Sequence, residues 1–233
     1  MNLKSEWNKL VSVLRSPAAF FEQALESRPE YLFRDALRLM ALLLAASTVL
    51  YFLFTVLNLS ELQQQVDAMR SYGPPSAVPA WLQDGLPWNR FLFPLFWLLL
   101  IFYGGLVRHL VVRLLGEENA SLARTQTVGL YASVPLIVLS IPGFALGVFF
   151  PYVPGPGVPA GMAGFAALLS TALLIGGYVW HAIVAIQALK RFYGQNTGRA
   201  FLTWAFAPFV GTFLCCGLWF GFYFVVVLAR GGS

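Results

Sequence analysis

The sequence predicts an all-α polytopic membrane protein with five transmembrane helices and a short amphipathic N-terminal segment. Two observations predict this class. Of the 233 residues, 58% are hydrophobic and only 11% are charged, against about 25% charged in a typical soluble domain. The apolar residues also gather in five runs of at least roughly 20 residues, the length that an α-helix needs to cross a membrane. This composition excludes a soluble enzyme, a disordered chain and a nucleic-acid-binding domain.

The N-terminal segment, residues 1–34, is predicted to hold two short amphipathic helices on the cytoplasmic side. Ser16 and Pro17 are typical of an N-cap and the first residue of the second helix. The pair could lie on the membrane surface or under the bundle, or it could dock a cytosolic partner. The apolar faces hold two sets of residues: Leu3, Trp7, Leu10, Val11 and Leu14, then Phe20, Phe21, Ala24 and Leu25.

Residues 35–230 are predicted to form one transmembrane domain. No charged residue occurs between Arg124 and Lys190, a stretch too long for one helix, and the Pro/Gly-rich residues 151–159 divide it into two spans. Each span must be helical, because lipid offers no partner to an unpaired backbone group. The five spans are 36–59, 91–115, 128–150, 164–189 and 204–228.

The Lys and Arg residues predict the orientation of the spans. Twelve of them fall on one side and three on the other. By the positive-inside rule, the N-terminus lies in the cytoplasm and the C-terminus outside, in the cytoplasmic (inner) membrane of the cell. The twelve are Lys4, Lys9, Arg15, Arg28, Arg34 and Arg38 before the first span, Arg108, Arg113 and Arg124 in the loop after the second, and Lys190, Arg191 and Arg199 after the fourth.

Three loose patterns of aromatic, proline and glycine residues resemble the Yip family, the Ypt/Rab-GTPase-interacting integral membrane proteins, in a prokaryotic form. They are Ser16-Pro-Ala-Ala-Phe-Phe21, the loop 113–119 leading to Tyr131-Ala-Ser-Val-Pro135, and Trp180 followed by the polar turn 190–199. The resemblance covers nearly the whole chain. It implies five spans and a cytoplasmic N-terminus, and it implies a relation to proteins of vesicle traffic and membrane shaping.

The two histidines, His109 and His181, form a candidate intramembrane polar site. Each ends a short repeated pattern, Gly104-Gly105-Leu-Val-Arg-His109 and Gly176-Gly177-Tyr-Val-Trp-His181. The repeat could reflect a duplication of spans two and three as spans four and five, or chance. A duplication would place both imidazoles at equal depth, where they could hold a proton. The alternative is that each histidine makes one structural hydrogen bond. We expect no metal site, because no carboxylate or thiol lies nearby in the sequence.

Five cations of the inner loops are candidate contacts for anionic lipid headgroups or an acidic partner. They could equally serve only to mark topology. Three prolines are predicted helix kinks, which could open a cavity or hinge, or be tolerated in packing. The cations are Arg113, Arg124, Lys190, Arg191 and Arg199, and the prolines are Pro135, Pro142 and Pro208.

The predicted function is that of a non-catalytic membrane scaffold or adaptor of the Yip type. It would bind membrane lipids, or a cytosolic or membrane protein partner, at its cytoplasmic face. We expect no enzyme activity, no cofactor and no nucleic-acid partner, because the chain has no phosphate-binding Gly-rich loop and no zinc-protease helix. The sequence allows a homo-oligomer. The alternative is a transporter, channel or lipid-moving protein with a cavity between kinked helices.

Overall fold

The computed structural model describes residues 3–27, 32–57, 88–118, 120–149 and 160–231. These residues form seven α-helices and no β-strand, so the predicted all-α class is confirmed. The last five helices are long and apolar enough to cross a membrane. The helices are α1 Leu3–Arg15, α2 Pro17–Ser27, α3 Leu32–Leu57, α4 Trp88–Leu114, α5 Leu122–Phe149, α6 Ala160–Tyr193 and α7 Thr197–Gly231.

All five spanning helices begin earlier than the predicted spans, and the difference is largest for α5 and α7. Helix α5 begins at Leu122 rather than at residue 128, and α7 begins at Thr197 rather than at residue 204. In α7 the Asn196 side chain accepts a hydrogen bond from the Arg199 amide at 2.8 Å, as an N-cap residue does. A cap lets the helix start among polar residues, which a search for apolar runs leaves out. The described residues do not include the predicted end of the first span, at 58–59. They also leave out residues 60–87 and 150–159.

Two glycines end the helices that lead into the α4–α5 turn and the α6–α7 turn. Gly116, after α4, has φ +90°, and Gly194, after α6, has φ +62°. At the first turn the amide of Gly116 donates to Arg113 O at 2.9 Å and the amide of Glu117 donates to Val112 O at 3.3 Å. This pair of bonds is the Schellman motif, which needs a left-handed residue that glycine supplies without strain.

Helix α5 lies at the centre of the bundle and packs against α3, α4 and α6. Of the residues in its spanning window 61% are buried, against 17% for α6. In each glycine pair of α4 and α6, only the second glycine lies against α5. A Cβ on Gly105 would collide with the Gln126 side chain of α5, and one on Gly177 would lie 3.3 Å from the Leu136 side chain of α5. The second glycine of each pair therefore lets its helix approach α5 closely.

The N-terminal helices pack on the bundle through aromatic residues. Phe21 of α2 is fully buried, with its ring centroid 5.7 Å from that of Tyr131 in α5 and 5.5 Å from that of Phe192 in α6. Trp180 Nε1 of α6 donates to Leu14 O of α1 at 2.9 Å. Both short helices are thus fixed by the spanning helices, and α2 belongs to the same apolar core.

Candidate functional site

Helix α1 is held by ion pairs on one side and leaves apolar residues exposed on the other. Lys9 Nζ lies 3.2 Å from a carboxylate oxygen of the buried Glu6 and 3.1 Å from one of Asp35 at the start of α3. Leu3 and Trp7 are 66% and 63% exposed, and Val11 is exposed as well. We call Leu3, Trp7 and Val11 the α1 stripe, because their spacing of four places them on one face of the helix.

Three of the five candidate cations bind other parts of the chain. Lys190 Nζ donates to Thr197 Oγ1 at 2.9 Å. Arg191 lies 3.3 Å from a carboxylate oxygen of Glu22, and Arg199 lies 3.5 Å from one of Glu117. Exposed pairs of this kind contribute only about 0–1 kcal/mol. These three side chains bind residues of α2, of the α4–α5 turn and of the start of α7. They are therefore less available to a lipid headgroup or a partner protein than the sequence predicts.

The other two candidate cations, Arg113 and Arg124, lie at the end of α4 and the start of α5. Both are exposed, and neither makes an ion pair with a residue that the structure describes. Of the five candidate cations, the two with neither an ion pair nor a side-chain hydrogen bond among the described residues therefore lie beside the α4–α5 turn.

His109 belongs to a hydrogen-bonded network near this turn. Its Nδ1 lies 3.2 Å from Thr125 Oγ1. The Thr125 hydroxyl donates to Ser121 O at 2.9 Å, so its oxygen accepts from the Nδ1–H of the imidazole. The Tyr193 hydroxyl lies 3.3 Å from the same Thr125 oxygen and donates to Ser121 O at 3.2 Å. We call His109, Thr125, Tyr193 and Ser121 the His109 network; it connects α4, α5 and α6.

His181 lies in a different environment. Its Nδ1 is 2.8 Å from the carbonyl oxygen of Ala132 in α5. A carbonyl only accepts, so Nδ1 carries the proton and Nε2 is the acceptor nitrogen of the neutral ring. Pro135 lies in the following turn of α5, where it removes one backbone donor from the helix. That missing N–H would have bonded to Tyr131 O, one residue before Ala132, so the His181 bond is an additional side-chain contact to α5 next to that position.

The two histidines are not at equal depth, where a duplication of spans two and three as spans four and five would have placed them. His109 lies seven residues before Gly116, and His181 lies thirteen residues before Gly194. Since both glycines end their helices, the difference of six residues is about 9 Å along the helix axis. The imidazoles contact α5 at Thr125 and at Ala132, which are about 10 Å apart by the same rise. The structure does not bring them together as one site.

The charge count placed Arg108 in the loop after the second span, and this placement is wrong. Arg108 lies inside α4, its side chain is buried, and its Nε and Nη1 have no hydrogen-bond partner. With His181 and Ser133 it lines a cavity of about 170 Å³. Arginine near a helix end usually extends to water, so the count treats it as a loop charge. The sequence signal was Gly104, one turn earlier on the same face, which leaves space beside the guanidinium.

The three prolines predicted as kinks lie inside continuous helices. Pro135 and Pro142 are within α5, and Pro208 is within α7. The Thr212 hydroxyl donates to Pro208 O at 2.9 Å. A bend at these positions, and any hinge that it would provide, stays a prediction.

The sequence model of the Yip1 domain matches residues 11–229. The chain belongs to the Yip family. A search of curated proteins and a search of solved structures each found no match. The Yip family consists of non-enzymatic membrane proteins whose members interact with Rab GTPases and with membranes. In this Yip protein the match includes all of α2 through α6, most of α7 and the last five residues of α1. Helix α2 is therefore part of the family domain, together with the five spans of a multi-pass membrane protein, whereas Leu3 and Trp7 precede the matched region.

Proposed function

We propose that this Yip protein is a non-catalytic scaffold that binds a partner protein at its cytoplasmic face. In this proposal residues 1–34 are cytoplasmic, residues 35–230 form the transmembrane domain, and the C-terminus lies outside. The distribution of Lys and Arg supports this orientation and a location in the cytoplasmic membrane. Membership of a non-enzymatic family supports the absence of catalysis.

The main support for the proposal is that one face of α1 is fixed to the bundle while the opposite face leaves apolar residues exposed. Its inner face is fixed by Leu10 and Val13 in the core and by the Lys9–Asp35 pair. Its outer face presents the α1 stripe, with Trp7 at the centre. An exposed apolar patch on a fixed element is typical of a protein interface, and a tryptophan at its centre is the residue type that most often carries binding energy. A rigid helix face also loses little conformational entropy on binding.

The alternative function, transport or lipid movement, is supported only by the cavity beside Arg108. Its volume of about 170 Å³ is below the roughly 300–1,000 Å³ of small-molecule sites. Of the two histidines only His181 lines it, so the cavity does not hold the histidine pair that a shared proton site would need. A cavity of this volume favours the binding of one part of a ligand over the transport of a whole small molecule through the protein.

The scaffold proposal can be tested by photo-crosslinking in native membranes. A benzophenone amino acid replaces Trp7 in the full chain, and the control carries it at Phe213, which is 82% exposed on the spanning helix α7. We expect a protein adduct of one defined mass at position 7 and only lipid adducts at position 213. The position-7 adduct should disappear when Leu3→Ser and Val11→Ser remove the rest of the α1 stripe.

Lipid adducts alone at position 7 would show that the α1 stripe rests on the bilayer, and they would contradict the adaptor function. A protein adduct that survives the Leu3→Ser and Val11→Ser changes would contradict it as well, because binding would then not depend on the stripe. Thermal unfolding of the doubly substituted chain checks that the bundle itself is unchanged.

A further inference from the structure

A narrow groove runs along α4 on the side that faces α5. Five residues of α4 line it, namely Trp97, Leu100, Ile101, Gly104 and Arg108, and Gly129 of α5 lines the opposite wall. From Trp97 to Arg108 the lining covers twelve residues of α4, about 16 Å from the first to the last. Leu100 is 44% exposed, so the groove opens on the lipid-facing surface of the bundle. Arg108 lies at the end of the groove nearest the α4–α5 turn.

The Arg108 guanidinium is a buried cation with unmet hydrogen-bonding groups. The residue is only 7% exposed, and its Nε and Nη1 have no hydrogen-bond partner. The ion pairs among the described residues involve other side chains. A buried, unpaired charge is strongly unfavourable, so this position favours an anion from outside the described chain.

The space around the guanidinium is set by two glycines. A Cβ built on Gly129 would lie 3.1 Å from Arg108 Nη1, closer than an ordinary contact. A Cβ on Gly104 would meet nothing within 4 Å. Gly129 therefore gives the guanidinium room, and Gly104 keeps the groove beside it open. Most of the remaining wall is apolar, through residues such as Trp97 and Leu100, and Ser133 and His181 are its polar members.

We propose that this groove binds one phospholipid molecule, with Arg108 on its phosphate and an acyl chain along α4. Arginine binds phosphate through paired, charge-assisted hydrogen bonds. The guanidinium lies about 9 Å from the end of α4 at Leu114, a depth that a headgroup in the cytoplasmic leaflet reaches with local adjustment of the lipid. The opening at Leu100 faces lipid, which favours a phospholipid over free phosphate as the source of the anion. The site is separate from the α1 stripe and does not depend on the scaffold function.

The test uses the full chain, purified in detergent and stripped of lipid. Native mass spectrometry measures binding of phosphatidylglycerol, of a diacylglycerol with the same acyl chains, and of inorganic phosphate. We expect one tightly bound phosphatidylglycerol, no diacylglycerol binding of comparable strength, and no displacement of the lipid by millimolar phosphate.

Two variants locate the binding site. Arg108→Met removes the charge and should weaken phosphatidylglycerol binding by about tenfold or more, since hydrogen bonds to charged groups contribute about 1.5–3 kcal/mol. Its control is Arg113→Met on the exposed end of the same helix, which should leave the affinity unchanged. Gly104→Leu should fill the groove and reduce binding, whereas Gly176→Leu, at an exposed glycine of α6 with equal free space, should have no effect.

Each result decides for or against the site. Equal affinity of Arg108→Met and the natural chain would overturn it, as would equal binding of diacylglycerol. Displacement of the lipid by inorganic phosphate would overturn the lipid as the ligand. If Arg108→Met did not fold, the Gly104→Leu and Gly176→Leu pair would still decide, because a Cβ at either position meets nothing within 4 Å.

Discussion

Two neighbouring polar residues of α4, Arg108 and His109, differ in whether their side chains find hydrogen-bond partners within the protein. His109 lies in the His109 network, where the imidazole, the Thr125 hydroxyl and the Tyr193 hydroxyl all have partners within 3.3 Å. Arg108 has no hydrogen bond to this network, and its Nε and Nη1 are buried without a partner at the cavity that it lines with His181.

The difference separates structural polar groups from candidate binding groups. A satisfied network contributes stability and specifies how helices fit together. A buried donor without a partner costs stability, so its presence needs another explanation, such as a ligand. On this basis we assign the His109 network a structural role, and we assign ligand binding to the Arg108 groove. The predictions below go from the largest expected effect to the smallest.

The largest effect should come from the aromatic contacts that hold the N-terminal helices. Phe21→Ala removes a fully buried ring between Tyr131 and Phe192 and should lower the free energy of unfolding by about 3–5 kcal/mol. Denaturant titration in detergent micelles measures the change. Phe213→Ala, at a side chain that is 82% exposed on α7, is the matched control and should change the stability little. Equal effects would mean that α2 is not part of the core.

A smaller loss should follow from breaking the His109 network. Thr125→Val leaves His109 Nδ1 and the Tyr193 hydroxyl with one partner fewer, and it should lower the free energy of unfolding by about 1–3 kcal/mol. Thr127→Val is the control on the same helix, because that buried hydroxyl donates only to Ala123 O of its own helix, at 2.8 Å. If the control cost as much as Thr125→Val, the network would contribute nothing of its own.

Much of the fold follows from the sequence, since length and apolar periodicity determine each helix. The start of α2 at Pro17 agrees with its predicted position, because the N-cap and proline chemistry is local. The early start of α5 was missed because Thr125, Gln126 and Thr127 are polar. Gln126 is nevertheless helical and donates through Nε2 to Phe102 O of α4 at 2.9 Å.

The surroundings of Arg108 and of the two histidines could not be predicted from the sequence. They depend on how each helix is rotated about its own axis, and hydropathy does not determine that rotation. Arg108 and His109 are adjacent in the sequence and similar in polarity, but which of them faces the groove is decided by the packing of α4 on α5. Of the repeated Gly-Gly pattern, only the second glycine of each pair, Gly105 and Gly177, lies in close contact with α5. The pattern did not give the depth of His181, because α6 extends further past its histidine than α4 does.

Thermal unfolding of the chain with Arg108→Met, compared with the natural chain, tests the central claim most directly. In lipid-free detergent the substitution should raise the Tm, because it removes an unpaired buried charge whose cost is about 1–3 kcal/mol. Added phosphatidylglycerol should then raise the Tm of the natural chain and leave that of the Arg108→Met chain unchanged. A lower Tm for Arg108→Met without lipid, together with an equal response of both chains to the lipid, would show that Arg108 is a structural residue and would contradict the account.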